Sequence, residues 1–583
     1  MRLPNLLATR YGRLAAFFFL YVTEGIPLGF AATAVATQLR RQDVGPAEIG
    51  AFVGSFYLPW AFKWAFGPIV DVFGIERLGR RRGWILFTQL MMVLTLVSSA
   101  WLKLPEQLGL FTLILLVHNT FAATQDVAID ALAVNSLQGD ERGVANGMMF
   151  AGAYIGQAVG GSGVLFLTGY TGFTATFFFV AGAILAVTTF IVLPMKEASV
   201  VRTRAVVVGA GQRLRAAGRE MRGFAVDSFR SFLGTRGAFA GLFFALLPMG
   251  AMCLGLALQT NLAVEFGMSD DQVAWLQVWS SILTALACVV GGWLSDRLGR
   301  RRTLFVYTAA MSLPVLYLMS AASQYGWIMP VSLTATNRPP VPAALLTAFW
   351  VASLTYAVAN GLMYGTRSAI FMDVTNPAVA ATQFTAYMAM MNLSISYSST
   401  WQGIAVEAFG YPKTMLIDAL FGLACLLVLP MVKRVDLKGR FTDDGAPSRA
   451  RAVAIGLALM CLAWLPFRGG MVSLGKAAPI GETLFTLVFI ASALFLLAGA
   501  AVLGARAPRL ARIGAWLAPL LILMYARYGL DALLRWLGPG AAAGTVRQVC
   551  EALLLIVPLV GAIILLLLAR RDWSELREEP LTV

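Results

Sequence analysis

The sequence predicts an all-α, polytopic membrane protein, and three observations carry that prediction. Hydrophobic residues make up 58% of the 583 positions and charged residues only 13%, with a mean hydropathy of +0.74. Apolar runs of about twenty residues, the length a helix needs to cross a bilayer, recur along the whole chain. The alternating ten-residue segments of an outer-membrane barrel are absent. Backbone groups in hydrocarbon must pair within their own segment, which leaves helices.

The elements follow in order. The N-terminal stretch MRLPNLLATRYGR is basic and leads into a first span at 14–36. Ala34-Val35-Ala36 mimics a signal-peptidase site, but the apolar run is long and carries Glu24, so it is read as a retained helix. Further spans are expected at 47–70, 83–102, 108–132, 143–167 and 173–194, completing a set of six in residues 1–195. A basic cytoplasmic linker occupies 196–236. Within it, Leu214, Met221, Phe224 and Phe232 share a helical face, while Arg213, Arg219, Arg222 and Arg230 mark much of the rest. That pattern fits an amphipathic helix on the inner membrane surface, or an ordinary basic linker. A second set of six, at 238–263, 272–294, 303–322, 343–370, 380–405 and 414–432, fills residues 237–433. Residues 434–583 add an accessory bundle of about four weaker spans, at 451–467, 483–504, 513–537 and 547–569, and a cytoplasmic tail. In the third of these, Arg527 and Asp531 are four residues apart, the spacing of an intrahelical ion pair.

The net charge of +15 does not point to nucleic acid, because the basic residues sit in short loops between apolar runs. With sixteen spans and a cytoplasmic N-terminus, about 33 of the 45 Lys and Arg lie in cytoplasmic segments and about 9 outside. Lys63, Arg367 and Arg527 lie within spans. The asymmetry predicts a multi-pass protein of the inner, cytoplasmic membrane with both termini in the cytoplasm. The five cysteines lack metal or redox spacing and read as small core residues. The single histidine, His118, excludes a multi-histidine metal site; it reads as a packing residue or a proton relay. No cofactor is expected.

The strongest motif is an internal repeat. RLGRRR occurs at Arg77–Arg82 and at Arg297–Arg302, each time after the second span of a six-helix set. GPIVD, Gly67 to Asp71, precedes the first copy, and GWLSD, Gly292 to Asp296, precedes the second. A glycine one turn before an aspartate permits close helix contact. The aspartate can pair with the arginine cluster or face a neighbouring helix N-terminus. Two copies in register indicate parallel duplicated halves. These paired loops resemble the signature of the major facilitator superfamily. The resemblance implies two six-helix bundles, a central cavity and alternating access. The first copy departs from the usual pattern, since VFGIE separates Asp71 from Arg77 whereas Asp296 and Arg297 are adjacent.

A second duplication sets Asp130, in QDVAIDALAVNSL, against Asp373, in RSAIFMDVTNPAV, at matching ends of the fourth and tenth spans. The resemblance implies that Asp71, Arg80, Arg81 and Asp130 in one half and Asp296, Arg300, Arg301 and Asp373 in the other latch an inward gate. Asp126 and Gln125 have no match in the second half, and Asp126 lies a turn deeper than Asp130. A carboxylate at the bilayer centre costs on the order of 2.5–3.5 kcal/mol on insertion scales, so it faces a cavity or a partner. Asp126 is read as a proton carrier or a hydrogen-bonded packing residue. Glu24, beside Gly25 and Pro27, is the leading candidate for proton coupling. Lys63 is read as its ion partner, an anion contact or a snorkelling lysine. Arg367 either holds a substrate carboxylate or pairs with Asp373. Gln125 and Gln157 join the substrate and proton pathway, and Gln89, Gln259, Gln277, Asn360, Asn392 and Gln402 supply further neutral donors and acceptors.

EGIPLGF, LPWAFKWAFGPIVD, GRRRGWILFTQL, ATQDVAIDA and ERGVANGMMFAGAYIG, within residues 20–160, resemble the AmpG-type muropeptide permeases and their acetyl-CoA-transporter relatives. That resemblance implies proton-driven import of N-acetylglucosamine linked to anhydro-N-acetylmuramic acid, with or without peptide, by a protein that functions as a monomer in the lipid bilayer. Related siderophore importers share much of the pattern, so siderophore uptake and drug efflux stand as alternatives. An enzyme is not expected, because no loop carries clustered carboxylates, a serine–histidine set or metal ligands.

Overall fold

The computed structural model describes residues 5–73, 78–137, 142–197, 210–336, 338–375, 380–433, 443–503, 509–523, 541–573 and 576. Secondary structure among them is helical throughout. The first set comprises Arg10–Arg41, Pro46–Ala61 with Gly67–Val72, Arg80–Ser99, Leu108–Ser136, Arg142–Ala158 continuing into Val164–Thr171, and Phe173–Val192. The second comprises Arg236–Leu246 with Ala257–Glu265, then Asp270–Leu298, Arg300–Gln324, Ala343–Val374, Ala380–Phe409 and Tyr411–Val428. The C-terminal helices are Ala446–Leu474, Ala478–Leu503, Arg509–Leu523 and Ala541–Ala569. Eleven helices among the described residues are long and apolar enough to cross a membrane.

Two spans expected as continuous helices are interrupted. The second breaks between Ala61 and Gly67, where Lys63–Ala65 form a short 3-10 turn. The seventh breaks between Leu246 and Ala257, where Leu247 precedes Pro248 in an extended conformation and Gly250 takes φ +87°. A residue before proline is pushed out of the α region, and only glycine adopts such a positive φ without strain. The third C-terminal span is described as helix to Leu523; Arg527 and Asp531 lie outside the described residues.

By compactness the chain divides into two units. One comprises Met1–Arg219, Pro248–Arg367 and Met391–Ala424; the other comprises Glu220–Leu247, Ser368–Met390 and Cys425–Val583. In the first unit the two six-span sets meet through small residues. Ser396 and Ser399 of the eleventh span donate to the Gly54 and Gly50 carbonyls of the second, at 2.7 and 3.0 Å. Ser162 of the fifth donates to the Ala274 carbonyl of the eighth at 3.0 Å. Exchanging span n with span n+6 turns the 2–11 pairing into the 8–5 pairing, which is what a two-fold relation between duplicated halves requires. The eleventh span's serines also explain why it is too polar to register among the eleven apolar helices.

The linker helix Ala210–Gly234 belongs to the second unit from Glu220 on, and there its later apolar face is covered by protein. Phe229 stacks on Trp573, ring centres 5.9 Å apart, and tilts against Phe495 at 5.2 Å. The helix's C-terminal carbonyls are capped by Arg449, whose guanidinium donates to Leu233 and Gly234 at 2.6 and 2.9 Å. The side chains of Arg213, Leu214 and Phe224 lie outside the described residues.

Candidate functional site

The first half gathers charge within its apolar spans. On the first span Tyr21 and Glu24 are three apart, and on the fourth Asp126 and Asp130 are four apart, so each pair shares a face. The interruption of the second span frees Lys63 from the helical register, and its Nζ reaches Asp126 Oδ2 at 2.8 Å. Tyr21 donates its hydroxyl to Asp130 Oδ1, also at 2.8 Å. Glu24 interacts electrostatically with Asp126, Asp130 and Lys63. Its Oε1 is buried and meets no donor among the described residues. The lysine expected beside Glu24 therefore bonds Asp126, and three carboxylates share the neighbourhood of one ammonium group.

The first span comes close enough to the fifth for this arrangement because Gly25 faces it: a Cβ there would meet the Ala153 carbonyl. Both spans carry a π-helical turn nearby, Phe30–Val35 and Val159–Gly163, of the kind often found at functional sites. Gln125 is wholly buried and donates to Thr23 at 2.9 Å, with Gln89 and Thr188 extending the same network. His118 is buried against Thr95 and the Met92 carbonyl.

A cavity of about 80 Å³ opens beside the π turns. It is lined on the first-half side by Gly29, Thr33, Tyr57 and Gln157, and on the second-half side by Gly255, Gln259, Thr260 and Gln277. Its polar side chains are amides and hydroxyls, which suit an uncharged, hydroxyl- or amide-bearing group. Arg367 stands elsewhere in this unit, stacked 3.5 Å over the Tyr364 ring and electrostatically coupled to Tyr154. Its Nε is buried without an acceptor among the described residues.

The loop residues read as gating groups are only partly described. Arg81 donates its backbone N–H to Glu197 at 2.8 Å and its guanidinium to the Val70 carbonyl at 3.1 Å. Arg80 and Arg300 open the third and ninth helices, and Arg301 follows on an exposed face. Asp373 is half-buried near the end of the tenth span. The side chains of Asp71 and Asp296 and all of Arg77 lie outside the described residues.

The sequence reading missed a charged network at the opposite end of the spans. Arg40 and Glu265, buried at 2% and 0% exposure, pair at 2.7 Å across the ends of the first and seventh spans. Tyr411 donates to Glu265 at 2.5 Å, and Arg40 also donates to the Val44 and Val331 carbonyls. Arg41 pairs with Asp270 at 2.7 Å. Asp43 accepts from the Leu333 N–H at 2.9 Å and from the hydroxyls of Ser332 and Thr334. A signal was present: spans one and seven are duplicates, and they end in opposite charges.

Comparison with known proteins agrees with this architecture. The family profile described as Major Facilitator Superfamily matches residues 14–251 and 238–569. A putative transporter, AmpG 4, of Rickettsia conorii is 23% identical over 423 residues, spanning 72% of this chain and 95% of its own. The anhydromuropeptide permease of Escherichia coli K12 is 22% identical over 456 residues, spanning 77% and 86%. Among solved structures, a mutant of the nucleoside transporter NupG superposes with a TM-score of 0.53 at 15% identity, over 72% of this chain and all of its own. A D-xylose-proton symporter gives 0.52 at 13%, over 73% and 97%. At these identities the structures speak to fold alone.

Proposed function

The chain belongs to the major facilitator superfamily, and we propose that it is a proton-coupled transporter importing cell-wall muropeptides by alternating access. It is a membrane transporter by family, with relatives named as permeases. The observation that carries the coupling is the cluster of buried Asp126 with half-buried Glu24 and Asp130 around Lys63. Three carboxylates opposite one ammonium leave an excess of negative charge that a transported proton can neutralise, and intramembrane acids of this kind mark proton relays. The amide- and hydroxyl-lined cavity supports a sugar-bearing cargo, and Arg367 supplies a cation for a carboxylate. The arginine loops with Asp71, Asp130, Asp296 and Asp373 serve as the inward gate, and the Arg40–Glu265 network closes the outer end. The protein works as a monomer in the cytoplasmic membrane with both termini inside, and performs no covalent chemistry on its cargo.

Purified protein in liposomes, given labelled N-acetylglucosaminyl-anhydro-N-acetylmuramic acid, tests this. Uptake should follow an imposed inward proton gradient and collapse with a protonophore. Uptake indifferent to the gradient removes the coupling, and uptake of a ferric siderophore in place of the muropeptide reassigns the cargo.

A further inference from the structure

The broken seventh span poses a problem that one side chain solves. Non-helical backbone at membrane depth is tolerated only where protein groups satisfy its N–H and C=O atoms. Residues 248–254 of the interruption are buried, with Ala251 and Cys253 at 0% exposure. The Gly250 N–H donates to the Gly422 carbonyl at 3.1 Å, and the Gly255 N–H closes a turn on Met252 at 2.9 Å. Two of the four amides between them, Met252 and Cys253, donate to Oδ2 of Asp418 on the twelfth span, at 2.8 and 2.9 Å. Oδ1 of the same carboxylate accepts from Gln402 Nε2 at 2.6 Å. Asp418 is 1% exposed. Its donors among the described residues are amides and the Cys253 thiol, so hydrogen bonds hold it in place. Immediately after the braced turn the chain contributes Gly255, Leu256, Gln259 and Thr260 to the cavity wall.

We propose that Asp418 is the positioning residue of the cavity: its carboxylate fixes the non-helical turn of the seventh span in the shape that carries Gln259 and Thr260 to the cavity wall. This goes beyond the coupling assigned to the first half, and it holds for any cargo. Asp418 acts by the position of its acceptor oxygens and exchanges no proton. Asparagine can therefore replace it, since its carbonyl oxygen accepts both backbone N–H groups. Its amide then donates to Gln402 Oε1, which is buried and meets no donor among the described residues, once that side chain turns over. Glutamate keeps the charge but carries the oxygens one methylene too far.

Cys253 sits on the braced turn and reports its opening directly. In the full chain, with Cys288, Cys425, Cys461 and Cys550 replaced by serine, the rate of Cys253 alkylation by N-ethylmaleimide is measured in lipid nanodiscs without cargo. Asp418→Asn should stay as protected as the parent, while Asp418→Glu should react at least about tenfold faster, as expected when misplaced acceptor oxygens leave the two amides of the turn unbonded and local opening becomes easier. In liposomes, Asp418→Asn should also keep the parent's pH profile for uptake of the labelled disaccharide, and Asp418→Glu should raise the half-saturating concentration more than it lowers the maximal rate. Rapid alkylation of Asp418→Asn, or full protection in Asp418→Glu, overturns the proposal. The alkylation assay needs no transport, so a wrong cargo or a failed coupling cannot be mistaken for a failed brace.

Discussion

Lys63 is the residue whose partners matter most. It is 17% exposed and bonds an aspartate that is 4% exposed. Removing one member of a buried ion pair typically costs about 3–5 kcal/mol, while replacing both with apolar groups is often neutral. Lys63→Met alone should therefore lower the thermal stability of the purified protein, and Lys63→Met with Asp126→Leu should recover most of the loss. A double variant no more stable than the single would show that the pair is not what the lysine serves. Transport should separate from stability: the recovered double variant, like Asp126→Asn alone, should have lost gradient-driven uptake. Accumulation undiminished at every pH in Asp126→Asn would remove that residue from the proton pathway. Charged residues in apolar runs were legible in the sequence because they are so costly in lipid. Which acid Lys63 meets was not, because its reach depends on the interruption at Phe62–Phe66.

At the scale of elements, the same lesson applies to the two broken helices. Pro248, Gly250 and Gly255 were visible as helix breakers, yet LPMGAMCLGL is apolar throughout, and hydropathy cannot tell a buried turn from a buried helix. The paired ends of the first and seventh spans carried a signal in their opposite charges, but a charge at a span end is ordinarily solvated, which masks it. Their burial makes the network a clasp. Arg40→Ala leaves Glu265 buried without its cation, a loss of about 3–5 kcal/mol from the clasped state. A cysteine at the cavity residue Thr260 should then label faster with an impermeant maleimide added on the side of the 1–2 and 7–8 connections. Unchanged labelling would mean that the clasp does not hold that end shut. Asp43 adds a pH dependence. Partial burial works to raise its carboxyl, but the Ser332 hydroxyl, the Leu333 N–H, the Thr334 hydroxyl and Arg40 outweigh it and hold it below the ordinary value. A depressed carboxyl contributes stability that is present above its unfolded value of about 3.9 and lost as pH falls through the folded one. Hydrogen exchange of the Leu333 amide, corrected for its intrinsic rate, should rise through that acid range in the parent and stay flat in Asp43→Asn. A flat parent would refute the linkage.

For the whole molecule, the duplicated arginine loops made two sets of six spans readable, because two copies of one motif at matching places mark a repeat. What the repeat could not reveal is where the C-terminal helices belong. The second compact unit joins them to Glu220–Leu247 and Ser368–Met390, segments that the sequence assigns to the linker and to the second set. The reason is packing: Phe229 and Leu233 of the linker helix are buried in one apolar cluster with Trp464, Phe495 and Trp573. Arg449 and the Asp443 N–H cap the helix's last carbonyls. A chain ending at Lys433 loses all of these partners. Burying a large apolar side chain is worth about 1.5–3 kcal/mol, and the orphaned carbonyls add to the loss. The linker helix of such a chain should fray from its C-terminal end, and limited trypsin digestion should cut after Arg230, a half-buried site in the full-length protein. Full-length protein should resist at that bond under the same conditions. Equal resistance in both would mean that the C-terminal helices contribute nothing to the linker, and that their retention serves a purpose outside the fold.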